Sequence, residues 1–170
     1  MMVRMIGAVL VAAGAAWMGF QAASGLRVRV RAIRDMAAGL AVLERELELN
    51  SPPLPRLLAQ GAARSQGPAR ALFQSCVQGL DGLAQESFSG LWGRLTAQLT
   101  ELGGEGQAVL ASLGDVLGRY SGPRQLEALS AARRRLEELA ARLEEDSRRR
   151  GRVYQALGLS GGAFLVILLL

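Results

Sequence analysis

Histidine and lysine are absent from this 170-residue chain, and cysteine occurs once, at Cys76. Without histidine the commonest general base and the commonest metal ligand are missing. A single cysteine excludes an internal disulfide and fits a reducing compartment. Cys76 lies among Leu72, Phe73, Val77 and Leu80, which reads as a core position and not a nucleophile. Aromatic residues make up only 5% of the chain, so no aromatic-and-basic surface for stacking bases is expected. No phosphate-binding glycine loop and no catalytic triad is recognisable.

Charge is also missing from two long stretches. Met5–Leu26 and Val153–Leu170 carry no charged side chain. A membrane helix needs about 20 mostly apolar residues; the first stretch meets that length and the second is close to the lower limit. The net charge is +5, and every cation is arginine. Arg27, Arg29, Arg31 and Arg34 follow the first stretch, and Arg148, Arg149, Arg150 and Arg152 precede the second. From Asp35 to Ser147 there are 11 arginines against 15 acids, a net of −4. The basicity therefore sits at two borders, which argues against nucleic-acid binding. It matches the retention of Arg on the cytoplasmic side of membrane segments. The expected organisation is a transmembrane helix at 5–26, a cytoplasmic helical bundle at 27–152 and a second transmembrane helix at 153–170, with both termini outside. A cleaved signal peptide, with Arg4 as its basic start and Ile6–Ala16 as its apolar core, is the rival reading. The four arginines that follow would oppose its translocation.

Between the borders the pattern is helical throughout, with no alternating strand signal. Ile33, Met36, Leu40, Leu43 and Leu47 recur at helical spacing ahead of Asn50-Ser51-Pro52-Pro53. Ser51 is expected to N-cap the next helix and Pro52 to open it. That helix carries Leu54, Leu57, Leu58 and Ala62, and Gln66-Gly67-Pro68 then restarts the chain. A third helix carries Leu72 to Leu80. A fourth runs from Phe88 through Leu91, Trp92, Leu95 and Leu99 to Leu102, ended by Gly103-Gly104. A fifth carries Val109, Leu110, Leu113, Leu117 and Tyr120. After Ser121-Gly122-Pro123 a sixth helix follows Leu126, Leu129, Leu136, Leu139 and Leu143, with no proline before the second anchor. The fold class is thus all-α, with about six cytoplasmic helices between two membrane helices.

Several clusters have both a chemical and a plain reading. Gly158 and Gly162 form a G-x-x-x-G pair, and Ala8, Ala12, Ala16 and Gly19 mark small faces on the first anchor; such faces allow close packing of helices in lipid. The border arginines set topology and are also able to meet anionic lipid head groups. Arg133-Arg134-Arg135 reads as a solvated helix face. Glu44 and Glu48 lie one turn apart, but di-metal bundles also need Glu-x-x-His motifs. With Glu46 they read as a solvated or partner-facing acidic surface. No cofactor or metal is expected.

Several ordered elements together give a family resemblance. They are Arg4-Met5-Ile6-Gly7-Ala8, Trp17-Met18-Gly19-Phe20, the Leu-Glu-x-Glu-Leu segment at 43–47 and Pro52-Pro53-Leu54. Further on come Leu113-Gly114-Asp115-Val116-Leu117-Gly118 with Gln125 downstream, Tyr154 with Leu157-Gly158, and the aliphatic run from Leu165 to Leu170. Over nearly its whole length the chain resembles the stage III sporulation protein AB family of spore-forming bacteria. Pro52 stands where the family has threonine, and Ser121 where it has aspartate. The resemblance implies a non-enzymatic platform in the mother-cell membrane around the forespore, part of a channel-like apparatus. It also implies a cytoplasmic domain similar to that of the type II secretion inner-membrane platform protein. The implied partners are a cytoplasmic secretion-type ATPase and other membrane components of the complex; self-association stays open. Candidate docking residues are Glu44, Glu46 and Glu48 on charge, and Gly118, Ser121, Arg124 and Gln125 on the resemblance. A membrane-surface lipid-binding or membrane-shaping scaffold is the alternative, and a small membrane enzyme ranks last for want of a catalytic constellation.

Overall fold

The computed structural model describes the backbone of residues 2–82, 86–119 and 122–169, and the side chains of residues 25–81, 86–119 and 122–149. Six α-helices occur among them: α1 (Met2–Asn50), α2 (Leu54–Arg64), α3 (Gly67–Gly79), α4 (Phe88–Ala97), α5 (Gly103–Arg119) and α6 (Pro123–Leu169). Short 3-10 turns at Leu80–Gly82 and Thr100–Leu102 join some of them, and no strand is present among the described residues. At 1.5 Å per residue, the 49 residues of α1 and the 47 of α6 each measure about 70 Å.

The chain divides into two compact units. One comprises Met1–Arg27 with Arg142–Leu170, and the other Val28–Ala141. In the first unit the backbone is helical over 2–27 and 142–169. Among the described residues no helix is long and apolar enough to cross a membrane. The expected spans at 5–26 and 153–170 lie almost wholly outside the described side chains, as do Ala8, Ala12, Ala16, Gly19, Gly158 and Gly162. Arg150 and Arg152 lie outside them too, while Arg148 and Arg149 are exposed.

The second unit is a bundle built on the apolar series of α1. Ile33, Met36, Leu40 and Leu43 are fully buried, and Leu47 nearly so. Close packing against α2 and α3 depends on two glycines. A methyl group at Gly39 would collide with Ala69 Cβ, and one at Gly61 with Leu43. Phe73, Cys76 and Leu72 fill the space between. On the other side, Trp92 of α4 is fully buried, donates from Nε1 to Leu110 O at 2.7 Å, and lies against Gly114 of α5. From α6, Leu129, Leu136, Leu139 and Ala140 close the core.

Two boundaries differ from the sequence expectation. Ser51 does not cap α2; that helix starts at Leu54 from Pro53, without a side-chain cap. Ser51 instead ends α1. Its φ is +41°, its N–H donates to Leu47 O at 3.0 Å and its hydroxyl donates to the same oxygen at 3.1 Å. A left-handed residue at this place satisfies a carbonyl that the helix leaves open. Secondly, α4 stops at Ala97 rather than running to Leu102. Leu99 and Leu102 are buried from a turn and a 3-10 segment. Gly103, with φ +67°, then starts α5, and Arg29 of α1 lies across it, donating from Nε to Leu102 O at 3.2 Å. The apolar spacing alone does not distinguish one continuous helix from two buried turns. The inner face of α4 differs as well: Leu95 is only half-buried, and Phe88, Leu91, Trp92 and Thr96 are the buried residues.

Candidate functional site

The end of the bundle where α1 stops and α6 begins brings two separately predicted segments together. Leu47, Glu48 and Ser51 from the first, and Gly122, Pro123 and Leu126 from the second, line a cavity of about 220 Å³. Its floor is apolar, with Leu47 buried and Leu126 half-buried. Its walls are fixed by local backbone geometry, namely the left-handed Ser51 ahead of Pro52, and Gly122, φ +66°, ahead of Pro123. Proline locks its own φ and restricts the residue before it, so neither wall has much freedom. Leu49 stands exposed beside the cavity-lining Glu48, at 67%.

The three glutamates predicted as one acidic face diverge in the structure. Glu46 is 4% exposed; Arg64 of α2 donates to its Oε1 and Asn50 Nδ2 to its Oε2 at 3.4 Å. It ties α1 to α2 and presents no docking surface. Glu44 accepts from Arg133 Nε of α6 at 2.8 Å. Arg133 also donates to Glu137 at 2.9 Å, and these two hydrogen bonds raise its pKa, that to Glu44 most. Arg133 is therefore a half-buried strut and not part of a solvated face, whereas Arg134 and Arg135 are exposed. Only Glu48 is exposed and makes no hydrogen bond or ion pair among the described residues.

The candidates from the other segment also separate. Gln125 is buried and donates from Nε2 to Leu117 O at 3.0 Å. Leu117 belongs to the last turn of α5, whose carbonyls lack helical partners. The side chain thus closes that helix and is withdrawn from the surface. Gly118 is exposed on one side, with Phe88 of α4 on the other. Arg124 is exposed, and Ser121 lies outside the described residues.

The exposure of Leu49, the place of Leu126 beside the cavity and the bridges made by Arg64 and Arg133 are not among the sequence expectations. Leu49 has a signal in the sequence: it is a large apolar residue out of phase with the series ending at Leu47. No group of three or more acidic or cysteine side chains able to hold a metal occurs among the described residues. Burial pushes the Cys76 thiol up to about 12, far from the range of a reactive thiolate.

The model of the family described as stage III sporulation protein AB matches residues 4–170. The chain belongs to this family. It is 27% identical to the stage III sporulation protein AB of Bacillus subtilis (strain 168) over 176 residues, covering 99% of this chain and 100% of that protein. A solved structure of a stage III sporulation protein AB superposes with a TM-score of 0.60 at 25% identity, covering 71% of this chain and 97% of that one. The match across almost the full length makes this chain a sporulation protein.

Proposed function

We propose that this protein is a non-enzymatic membrane platform. On this reading it docks the cytoplasmic secretion-type ATPase of a sporulation complex and passes the motion of that ATPase to membrane components linking mother cell and forespore. The observation that carries the docking part is the meeting of the two independently predicted segments around one cavity, with Glu48 left exposed there. The membrane part rests on the charge-free stretches at 5–26 and 153–170 with arginines on their inner borders. It places the bundle in the cytoplasm and both termini outside, in the mother-cell membrane that surrounds the forespore. The lipid-scaffold alternative draws less support, because Arg29, one of the border arginines it needs, is spent on Leu102 O inside the bundle.

Co-expression tests the proposal. The full-length chain, extracted in mild detergent, should retain the ATPase through two purification steps. In intact cells, single cysteines introduced at Arg94 and at Leu170 of a Cys76→Ser chain should label oppositely, with the terminal one reached from outside. Loss of the ATPase on extraction, or labelling of both sites from the same side, contradicts the platform.

A further inference from the structure

We infer that the cavity between the end of α1 and the start of α6 receives an aliphatic side chain of the docked partner, with an adjacent arginine or lysine of that partner held by Glu48. This rests on the platform reading and adds to it the chemistry of the contact. Three observations converge on it. Leu47 and Leu126 give the 220 Å³ space an apolar side, while Glu48 and Ser51 line it with polar atoms. The space therefore suits an aliphatic side chain with a cationic group next to it, and an unpaired polar group against the two leucines would lose water without gaining a partner. The walls at Ser51-Pro52 and Gly122-Pro123 are already held in place, so little conformational entropy is lost on filling it. Charge supplies the third. Glu48 occupies the last turn of α1, which contains no basic residue. A carboxylate there meets the negative end of the helix dipole, which disfavours it within the isolated fold.

Unlike Glu44 and Glu46, Glu48 makes no ion pair among the described residues, although exposed Arg45 lies one turn before it and exposed Arg124 follows the cavity-lining Pro123. A partner cation answers both the carboxylate and the dipole. Leu49 does not line the cavity but stands exposed next to Glu48 in the chain, where a partner held by Glu48 is within reach of it; among the described residues it and Val28 are the exposed large hydrophobics, and Val28 lies at the opposite end of α1 within this unit. The occupant is thus a loop or helix end of the partner with a basic and an aliphatic residue side by side.

The test uses the full-length chain in lipid nanodiscs with the purified ATPase. A photo-reactive phenylalanine replacing Leu49 should crosslink to the ATPase, and the crosslinked peptide should carry Arg or Lys next to an aliphatic residue. The same probe replacing Arg70, exposed on α3, should not. Glu48→Arg should weaken binding at least tenfold at low salt, Glu48→Gln less, and Leu49→Ser about threefold, with unchanged melting temperatures. The effect of Glu48→Arg should shrink at high salt, because exposed charge pairs are screened. If the unaltered chain binds the ATPase while all three variants bind equally well, the inference falls and the platform stands. Crosslinking of Leu49 to a second copy of this chain also overturns it. If the unaltered chain does not bind, the platform itself fails and the inference with it.

Discussion

Arg133 of α6 donates from Nε to Glu44 Oε2 of α1 at 2.8 Å, across 89 residues of sequence. The pair joins the first and last helices of the bundle close to the end where the cavity lies. Both side chains are about three-quarters buried, so removing one leaves the other poorly solvated.

Glu44 and Glu137 hold the same guanidinium and should differ in weight. Glu44→Ala should cost about 1.5 kcal/mol, the range for a partly buried hydrogen bond to a charged group. Glu137→Ala, on an exposed i,i+4 pair, should cost roughly 0.2–0.5 kcal/mol. Urea unfolding of the full-length chain in detergent measures both. Equal costs would show that Glu44 is a surface residue after all.

Two glycines should respond in opposite directions to the same substitution. Gly39→Ala puts a methyl group onto Ala69 Cβ at the crossing of α1 and α3, where overpacking costs about 1–3 kcal/mol. Gly93→Ala in α4 meets nothing within 4 Å and should stabilise by about 0.5–1 kcal/mol through helix propensity. Thermal melts followed by circular dichroism decide both signs.

Cys76 should be chemically silent in the folded protein. It is fully buried and its thiol is pushed up to about 12, so the thiolate that alkylating agents attack is scarce. Iodoacetamide at pH 8 should leave it unmodified, with labelling rising along the urea unfolding transition. Fast modification without urea would mean that the α3 core opens locally.

How far the sequence carried depends on the range of the interactions concerned. The buried stripe Ile33–Leu47 and the length of α6 were legible because helical periodicity is a local signal. Glu46 was not, because its burial is decided by Arg64, a residue 18 positions away on another helix. Gln125 was identified as a candidate but assigned to a partner, while its carboxamide serves Leu117 O of the preceding helix. Ser51 was placed one helix too late. Serine before two prolines fits an N-cap as well as a left-handed stop, and only the backbone distinguishes them. The cavity itself depends on which ends of α1 and α6 meet, and no local pattern encodes that pairing.

The platform claim is tested most directly by where the ATPase resides in sporulating cells. Cells are fractionated with the full-length chain present, absent, or carrying Glu48→Arg, and the ATPase is quantified in membrane and soluble fractions. The account predicts membrane-bound ATPase with the unaltered chain, a shift to the soluble fraction in its absence, and an intermediate distribution with Glu48→Arg. An ATPase that stays equally on membranes when this chain is removed would contradict the account.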